Sequence, residues 1–265
     1  MFPMRRPVFA ALVAVALLSP RGGADAADFT VEQVSEMLAS ATPERPADLS
    51  RADLGFLDLS DLDFKRAKLA GANLYGVDLS RSDLSGADLS GADLDHAVIT
   101  ATNFSNANLS NARLYDIAAY SRLEPSSAEA PSFAGADLSG AELLARLTDV
   151  DLHGANLSGL RIGFSAGLPR TPLRNDLSGC NLAGAKLAGA DLHEVRLSFS
   201  KLEDADLSGA NLVGADLTQV DLTGANLAGA NLANADLDGA VLRRVRGLEQ
   251  ARGLDLARNR ERAVY

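Results

Sequence analysis

Large aromatic side chains are scarce in this sequence, and tryptophan is absent. Aromatic residues make up only 5% of the 265 residues, although apolar residues as a whole make up 47%. Aromatic rings usually fill globular interiors, so a core built almost without them has to be narrow and regular. The single cysteine excludes an internal disulfide. The net charge of −10 is the opposite of the basic surface expected of a nucleic-acid-binding protein.

The sequence also lacks an apolar run long enough to span a membrane. Its longest run, Val8 to Leu18, has 11 residues, whereas a spanning helix needs roughly 20. Two arginines precede the run, and small residues at Ala-x-Ala spacing follow it, which is typical of a secretory signal peptide. We therefore predict a signal peptide over 1–26, cleaved between Ala26 and Ala27, and a periplasmic or secreted mature protein. The alternative is an uncleaved interfacial anchor.

Residues 27–46 are predicted to form an N-terminal cap that contains a short helix. Thr30 and Gln33 have the spacing of a capping box, in which each residue bonds the main chain of the other. Three apolar residues then recur at helical intervals, and two prolines end the pattern.

Almost everything that follows has a period of five residues, which matches neither a helix nor a strand. Leucine, replaced in places by Phe or Ile, recurs at this spacing from Leu49 to Leu114 and from Leu177 to Leu242, with a shorter block between, 34 units in all. The residue two before it is mostly Ala, and the residue before it is mostly Asp or Asn. In an extended segment, residues two apart face the same way. Each unit is therefore one side and one corner of a coil, with Ala and Leu inside. Representative core positions are Leu84, Leu89, Leu94, Leu207, Leu212 and Leu217.

The motif Ala-Asp/Asn-Leu-x-x, seen in the segments AGADL and SGANL, resembles the repeat of the pentapeptide repeat family. The resemblance implies an all-β fold, a right-handed parallel β-helix of quadrilateral cross-section with four pentapeptides per coil. This β-helix is expected over residues 47–245. Residues twenty apart would then stack, which places Asp48, Lys68, Asp88 and Asn108 in one outward column.

Two segments interrupt the repeat, and both are candidates for contact with a partner. Residues 115–132 contain tyrosines and prolines and shift the phase, whereas residues 163–176 keep the phase but add arginines. We expect both to leave the coil as loops, where binding residues tend to lie. The alternative is that they are tolerated insertions without a role. The candidate interaction residues are Tyr115, Tyr120, Arg122, Arg161, Arg170 and Arg174.

Residues 246–265 form a basic tail or cap. From residue 243 onward the sequence holds seven arginines and three acidic residues. The spacing of the apolar residues favours a helix that covers the last coil, since an open coil end invites association. The family resemblance implies an alternative, a homodimer formed through this end. The apolar residues in question are Leu248, Ala251, Leu254 and Leu256.

The sequence predicts no catalytic residue, cofactor or metal site. The string G-x-S-x-G at 163–167 lacks the strand–turn–helix context of a nucleophile elbow, and the three histidines lack metal-ligand spacing. We therefore predict an exported, non-catalytic scaffold that binds a protein partner through its faces or loops. The resemblance implies an alternative, an acidic DNA-mimicking rod that modulates DNA gyrase. That alternative requires a cytoplasmic chain whose leader is not cleaved.

Overall fold

The computed structural model describes residues 27–120, 128–162 and 175–265. These residues wind into a coil in which each turn pairs with the next through parallel β-bridges. In the regular parts the bridges join residues 20 apart, as from Asp48 to Lys68 and from Lys68 to Asp88, and each turn contains four of them. Because four pentapeptides make up one such step, stacking of the turns accounts for the period of the sequence. The outward column predicted from Asp48 to Asn108 is confirmed.

Few segments are long enough to count as strands, because each side of the coil is only a few residues long. Strands β1 (Arg113–Ile117), β2 (Glu142–Ala145) and β3 (Arg161–Ile162) form a parallel sheet in the order β1-β2-β3. The remaining turns are held by isolated bridges. No helix in the described ranges is long and apolar enough to cross a membrane.

The core is a continuous stack of the central residues and the small residues two before them. Every central residue from Leu49 to Leu242 in the described repeats is buried, and the six representative leucines are at most 1% exposed. Phe133 is a further core unit that the count of 34 omitted. Its ring stacks on that of Phe104 with centroids 4.9 Å apart, because Ser132 pairs with Asn103.

Helix α1 (Val31–Ala39) belongs to the N-terminal segment, where the sequence predicts a short helix. The Thr30 hydroxyl accepts the N–H of Gln33, and the Gln33 side chain accepts the N–H of Thr30, which completes the capping box. Val34 is fully buried in the same core as the leucines. The helix is thus anchored by its apolar side and leaves its acidic side exposed.

The C-terminal segment is not the α-helix that its apolar residues predict. Its chain continues the coil, and three short 3-10 turns, Leu248–Gln250, Leu254–Leu256 and Arg260–Arg262, lengthen each side from five residues to six. The hexapeptides GLEQAR, GLDLAR and NRERAV carry this period. We call residues 247–264 the hexapeptide coil. Its bridges, with that of Arg246 just before it, are Asn226 to Arg246, Asn231 to Arg252, Asp236 to Arg258 and Val241 to Val264.

The coil passes both interruptions by larger steps in register. Asn103 pairs with Ser132 and Arg161 pairs with Asp191, so each of these two turns is longer than a regular one. The turn between them is one residue short, since the Arg113-to-Glu142 and Leu114-to-Leu143 pairing shifts after Tyr115. That shift corresponds to Asp116, a corner residue of β1 that has no counterpart in β2.

The prediction that residues 115–132 leave the coil as a whole is wrong for both ends of the segment. Strand β1 extends to Ile117, Ala118 pairs with Val98, and Ala119 is 2% exposed. These small and apolar residues keep the inward alternation of a normal side. At the other end Ser132 is again bridged, and Asp176 likewise re-enters the coil after the second interruption.

Candidate interaction surfaces

Three of the six candidate interaction residues lie in the described part of the chain. Tyr115 and Arg161 lie on the sheet β1–β3, and Tyr120 follows β1 on the next side of the coil. Ala27 is the first described residue. The remaining candidates lie outside the described residues and are Ala26, Arg122, Arg170 and Arg174.

Tyr115 and Arg161 belong to one chain of polar contacts that crosses β1, β2 and β3. The Tyr115 hydroxyl donates to Glu142 Oε2 at 2.5 Å, and Arg161 Nη2 donates to Glu142 Oε1 at 2.7 Å. Arg113 lies 5.6 Å from the centroid of the Tyr115 ring and pairs with Asp95. We call these five residues the charged ladder. Each charge in the ladder has an opposite charge or a hydrogen-bond donor beside it, so the ladder is satisfied within the protein.

The environment of the ladder sets its ionisation. Burial, followed by the bond to Glu142, raises the pKa of Tyr115 to about 12. The Tyr115 hydroxyl, followed by Arg161, lowers the pKa of Glu142. Burial raises the pKa of Asp95, which is 4% exposed, although the N–H of Tyr115 and Arg113 oppose that shift. At neutral pH the Tyr115 hydroxyl is therefore a neutral donor to an ionised Glu142.

Tyr120 is also held by the protein itself. Its hydroxyl donates to the main-chain oxygen of Thr148 in the next turn, and burial raises its pKa to about 12. The two tyrosines proposed from the sequence for recognition thus hold neighbouring turns together. Arg161, whose side chain is 61% exposed, is the described candidate that stays accessible.

A row of exposed rings, which sequence reasoning missed, lies at one corner of the coil. Phe56 and Tyr75 have centroids 5.3 Å apart, and Tyr75 and His96 have centroids 5.0 Å apart, both edge to face. His96 Nδ1 lies 3.3 Å from Asp116. We call Phe56, Tyr75 and His96 the aromatic edge. The sequence does carry a signal for it, because the two-residue corners 55–56, 75–76 and 95–96 recur in successive turns and each holds one of the rings. An alignment of the central residues alone does not compare these corners.

Phe56 occupies a position that folding does not favour. Its φ is 59° and it is 76% exposed. A bulky residue at positive φ is an outlier, costing about 1–2 kcal/mol relative to an ordinary conformation. Gly76 in the next turn makes room for the ring, since a Cβ there would lie 2.8 Å from it. Phe199 is likewise exposed at a corner of positive φ, so what sets Phe56 apart is the row of rings that it begins.

In the described residues, no group of three or more His, Cys, Asp and Glu side chains could hold a metal ion. Cys180 is buried, and burial raises its pKa to about 12, which removes thiolate character at neutral pH. Its Sγ lies 2.8 Å from the main-chain oxygen of Leu147, as befits a small core residue.

Comparison with models of protein families gives a match over most of the coil. A family model described as pentapeptide repeats matches in 8 copies over residues 47–86, 78–116, 132–161, 176–214 and 205–244. These segments make up more than half of the chain, which therefore belongs to the pentapeptide repeat family. Its fold is the family's right-handed β-helix, mostly β with few helices.

Two solved structures illustrate the similarity. HetL, a pentapeptide repeat protein involved in heterocyst differentiation regulation from the cyanobacterium Nostoc sp. strain PCC 7120, is 29% identical. The match covers 82% of this chain and 83% of HetL, with a TM-score of 0.34. A trypsin-treated form of QnrB1, a plasmid-mediated fluoroquinolone resistance protein, is 24% identical, with coverages of 70% and 88% and a TM-score of 0.49. A search of curated proteins found no match.

Proposed function

We propose that this protein is an exported, non-catalytic pentapeptide repeat scaffold that binds another protein through the sides of its coil. The observation that carries the proposal is the aromatic edge, a row of three neighbouring rings that ends beside Asp116. Four bridges per turn support a four-sided cross-section, and the aromatic edge runs along one corner between two of its sides.

The chemistry of the aromatic edge favours a basic segment of the partner. Exposed rings attract guanidinium and ammonium groups, at about 0.5–1 kcal/mol for an exposed pair. Asp116, with its side chain 61% exposed beside His96, adds a carboxylate at one end of the row. The overall charge of −10 strengthens the approach of a cationic partner.

Arg161 lies on the side that leads into the same corner of the coil. In β1 that corner is Asp116, between Tyr115 and Ile117. Two turns later Arg161 takes the place of Arg113 on that side, because Arg113 pairs with Glu142 and Glu142 with Arg161. A partner on the aromatic edge would therefore reach the residues around Arg161, so we retain both interruptions as part of the proposed surface.

Binding is tested by photo-crosslinking from the aromatic edge. A photoreactive phenylalanine analogue at position 56 should capture a discrete protein, and the same analogue at position 199 is the matched control. Phe199 is also a corner residue of positive φ, 63°, and is 62% exposed, but it has no ring partner among the described residues. Equal capture from both positions would reject the aromatic edge as the binding surface.

Export is tested separately by fractionation and N-terminal sequencing of the native protein. A mature chain that begins at Ala27 in the periplasm or the medium supports the proposal. A full-length cytoplasmic chain would favour the gyrase alternative, which a supercoiling-inhibition assay tests. Cations within the acidic columns disfavour that alternative, because Lys68 separates Asp48 from Asp88 and Arg196 separates two further aspartates.

A further inference from the structure

The C-terminal end of the coil differs in charge from the rest of the chain. Residues 243–265 hold seven arginines and three acidic residues, whereas the whole protein has a net charge of −10. All seven arginines are exposed. Arg246, Arg252 and Arg258 take the same position on three successive sides of the last turn. The seven arginines, which we call the arginine rim, thus surround one end of the rod.

Only two of the seven arginines in the arginine rim form ion pairs within the described chain. Arg262 pairs with Asp238 at 2.9 Å and Arg258 with Asp236 at 3.7 Å, both in the preceding turn. The other five arginines form no ion pair with described residues. Their charges are available to an external anion. The five are Arg243, Arg244, Arg246, Arg252 and Arg260.

Exposed apolar side chains share this end. Leu256, Val264 and Tyr265 are 58%, 39% and 60% exposed, and they are half of the large apolar residues that the described chain exposes. The last turn also has main-chain donors without a following turn. The N–H groups of Gly247 and Gly253 donate to no main-chain acceptor in the described chain, and neither do those of Gly229 and Gly239 one turn before, whereas Gly209 donates to the next turn.

We propose that the C-terminal end docks on an anionic lipid surface. Guanidinium groups bind phosphate oxygens in pairs of hydrogen bonds, and exposed N–H groups at a coil end add further donors to the headgroups. Tyr265 and Leu256 supply the aromatic and aliphatic contacts that interfacial binding uses. The rod then stands on the membrane with its aromatic edge directed away from the lipid, free for a protein partner.

The acidic sides of the rod do not oppose this orientation strongly. Turns lie about 4.8 Å apart, and the screening length is about 8 Å at physiological salt. Only the last two turns, residues 226–265, are therefore close enough to feel the membrane charge. They hold seven arginines and five acidic residues, of which Asp236 and Asp238 are already paired with the rim.

A second copy fits this end less well than a lipid surface does. An end-to-end dimer would bring two arginine rims face to face, which like-charge repulsion disfavours. A regular turn of another copy has sides of five residues and cannot keep register with sides of six. The lipid surface requires neither register nor symmetry.

The test is co-sedimentation of the purified chain with vesicles of equal parts phosphatidylcholine and phosphatidylglycerol, compared with phosphatidylcholine alone. We expect a preference for the anionic vesicles that weakens as salt is added. The triple variant Arg243→Gln, Arg244→Gln, Arg252→Gln should bind them about a hundredfold less, at roughly fivefold per arginine near the surface. The matched control Arg66→Gln, Lys186→Gln, Lys201→Gln removes the same charge from the sides of the rod and should leave binding unchanged. Because Arg5 and Arg6 beside the apolar run Val8 to Leu18 also favour anionic lipid, the deciding comparison is between the rim triple and the side triple, which carry the same leader.

A double variant Leu256→Ser, Tyr265→Ser should weaken binding while leaving its salt dependence intact. Circular dichroism of each variant establishes that the coil is folded. Equal loss of binding in the rim triple and the side triple would overturn the proposal, as would equal binding to both vesicle types. So would a wild-type dimer in sedimentation velocity that Leu256→Asp dissociates, because that result assigns the end to a second copy.

Discussion

Corner residues of the coil hold a positive φ, which glycine adopts without strain and asparagine or aspartate tolerate. Gly91 and Gly209 take this conformation with nothing near the place of a Cβ, so glycine is present there for its backbone. Phe56 and Phe199 take it against their preference. The backbone conformation of a corner thus does not explain a phenylalanine there.

Replacing Phe56 by glycine should separate the two roles. Relief of strain is worth about 1–2 kcal/mol, and loss of the contact with Tyr75 costs about 0.5–1.5 kcal/mol. The two effects largely cancel, so we expect the free energy of unfolding to change by less than about 1.5 kcal/mol, while partner binding is lost. Phe199→Gly, which removes no ring contact within the described chain, should raise the free energy of unfolding by about 1–2 kcal/mol. Urea unfolding of the two variants measures this, and a large destabilisation by Phe56→Gly would show that the ring serves the fold.

The inward position is equally open to test at Leu217, which is 1% exposed. Leu217→Ala should lower the free energy of unfolding by about 2–5 kcal/mol, the range for leucine in a packed core. Leu217→Asp should prevent cooperative folding, because the carboxylate would have no polar partner in the stack. Asp216→Asn is the control, since Asp216 faces outward between Arg196 and Asp236. A normal circular dichroism spectrum and melting temperature for Leu217→Asp would refute the inward assignment.

Strands β1, β2 and β3 form the element in which polar contacts hold the turns together. The Tyr115–Glu142 bond links β1 to β2, and the Glu142–Arg161 bond links β2 to β3. Their contribution depends on pH in two directions. The lowered pKa of Glu142 gives stability that is present above pH 4.5 and lost as the pH falls through that pKa. The raised pKa of Tyr115 gives stability that is present below pH 10 and lost as the pH rises toward about 12.

Tyr115→Phe should therefore destabilise the protein most between pH 4.5 and pH 10. We expect a loss of about 1.5–3 kcal/mol at neutral pH, as for a hydrogen bond to a charged acceptor. The difference from wild type should narrow in acid. Tyr120→Phe is the matched control, because the acceptor on Thr148 is a carbonyl that does not titrate in acid. Thermal melts from neutral pH into acid distinguish the variants, and parallel curves for both would contradict a role for Glu142.

The hexapeptide coil is the element that ends the rod. Its six-residue sides keep the bridges to the preceding turn while placing Leu248, Ala251 and Leu254 against the core. Removal of residues 247–265 should expose the edge of the preceding turn, and exposed parallel edges associate. We expect the truncated chain to form larger species in size-exclusion chromatography with light scattering. Removal of Tyr265 alone should not have this effect, and a monodisperse truncated chain would show that the hexapeptide coil is not a cap.

The whole molecule is a stack in which each turn contacts its two neighbours, roughly 40 Å long at about 4.8 Å per turn. Its sides are mainly acidic and its C-terminal end is basic. We expect its stability to be shared among turns, so that a complete turn is removable while an incomplete one is not.

Deletion of residues 206–225 tests this expectation, since it removes four whole pentapeptides and lets Lys186 pair with Asn226. The shortened protein should fold and be shorter by about 4.8 Å in small-angle X-ray scattering. Deletion of residues 206–223 should fail to fold, because loss of the five-residue phase turns the following leucines away from the core. If both deletions fold equally well, the pairing of turns in whole pentapeptides is not what organises the coil.

Much of this architecture follows from local chemistry. The period of five, the inward leucines and the stacking of Asp48, Lys68 and Asp88 follow from side-chain alternation combined with the family resemblance. The capping box at Thr30 was visible in the same way. The sequence did not predict the hexapeptide coil, because the spacing of Leu248, Ala251 and Leu254 fits a helix as well as it fits six-residue sides.

Other features of the protein arise only from the stacking of turns, which brings together residues that are far apart in the chain. Tyr115 belongs to a strand because Glu142 lies beside it, and no local pattern contains that pairing. The aromatic edge and the arginine rim likewise arise when successive turns or sides bring Phe56 to Tyr75 and Arg252 to Arg258. A five-residue motif specifies which way each side chain points, but the side chains that meet across turns depend on the length of each turn. The number of residues in a turn differs along this protein, and it becomes known only from which residues pair between successive turns.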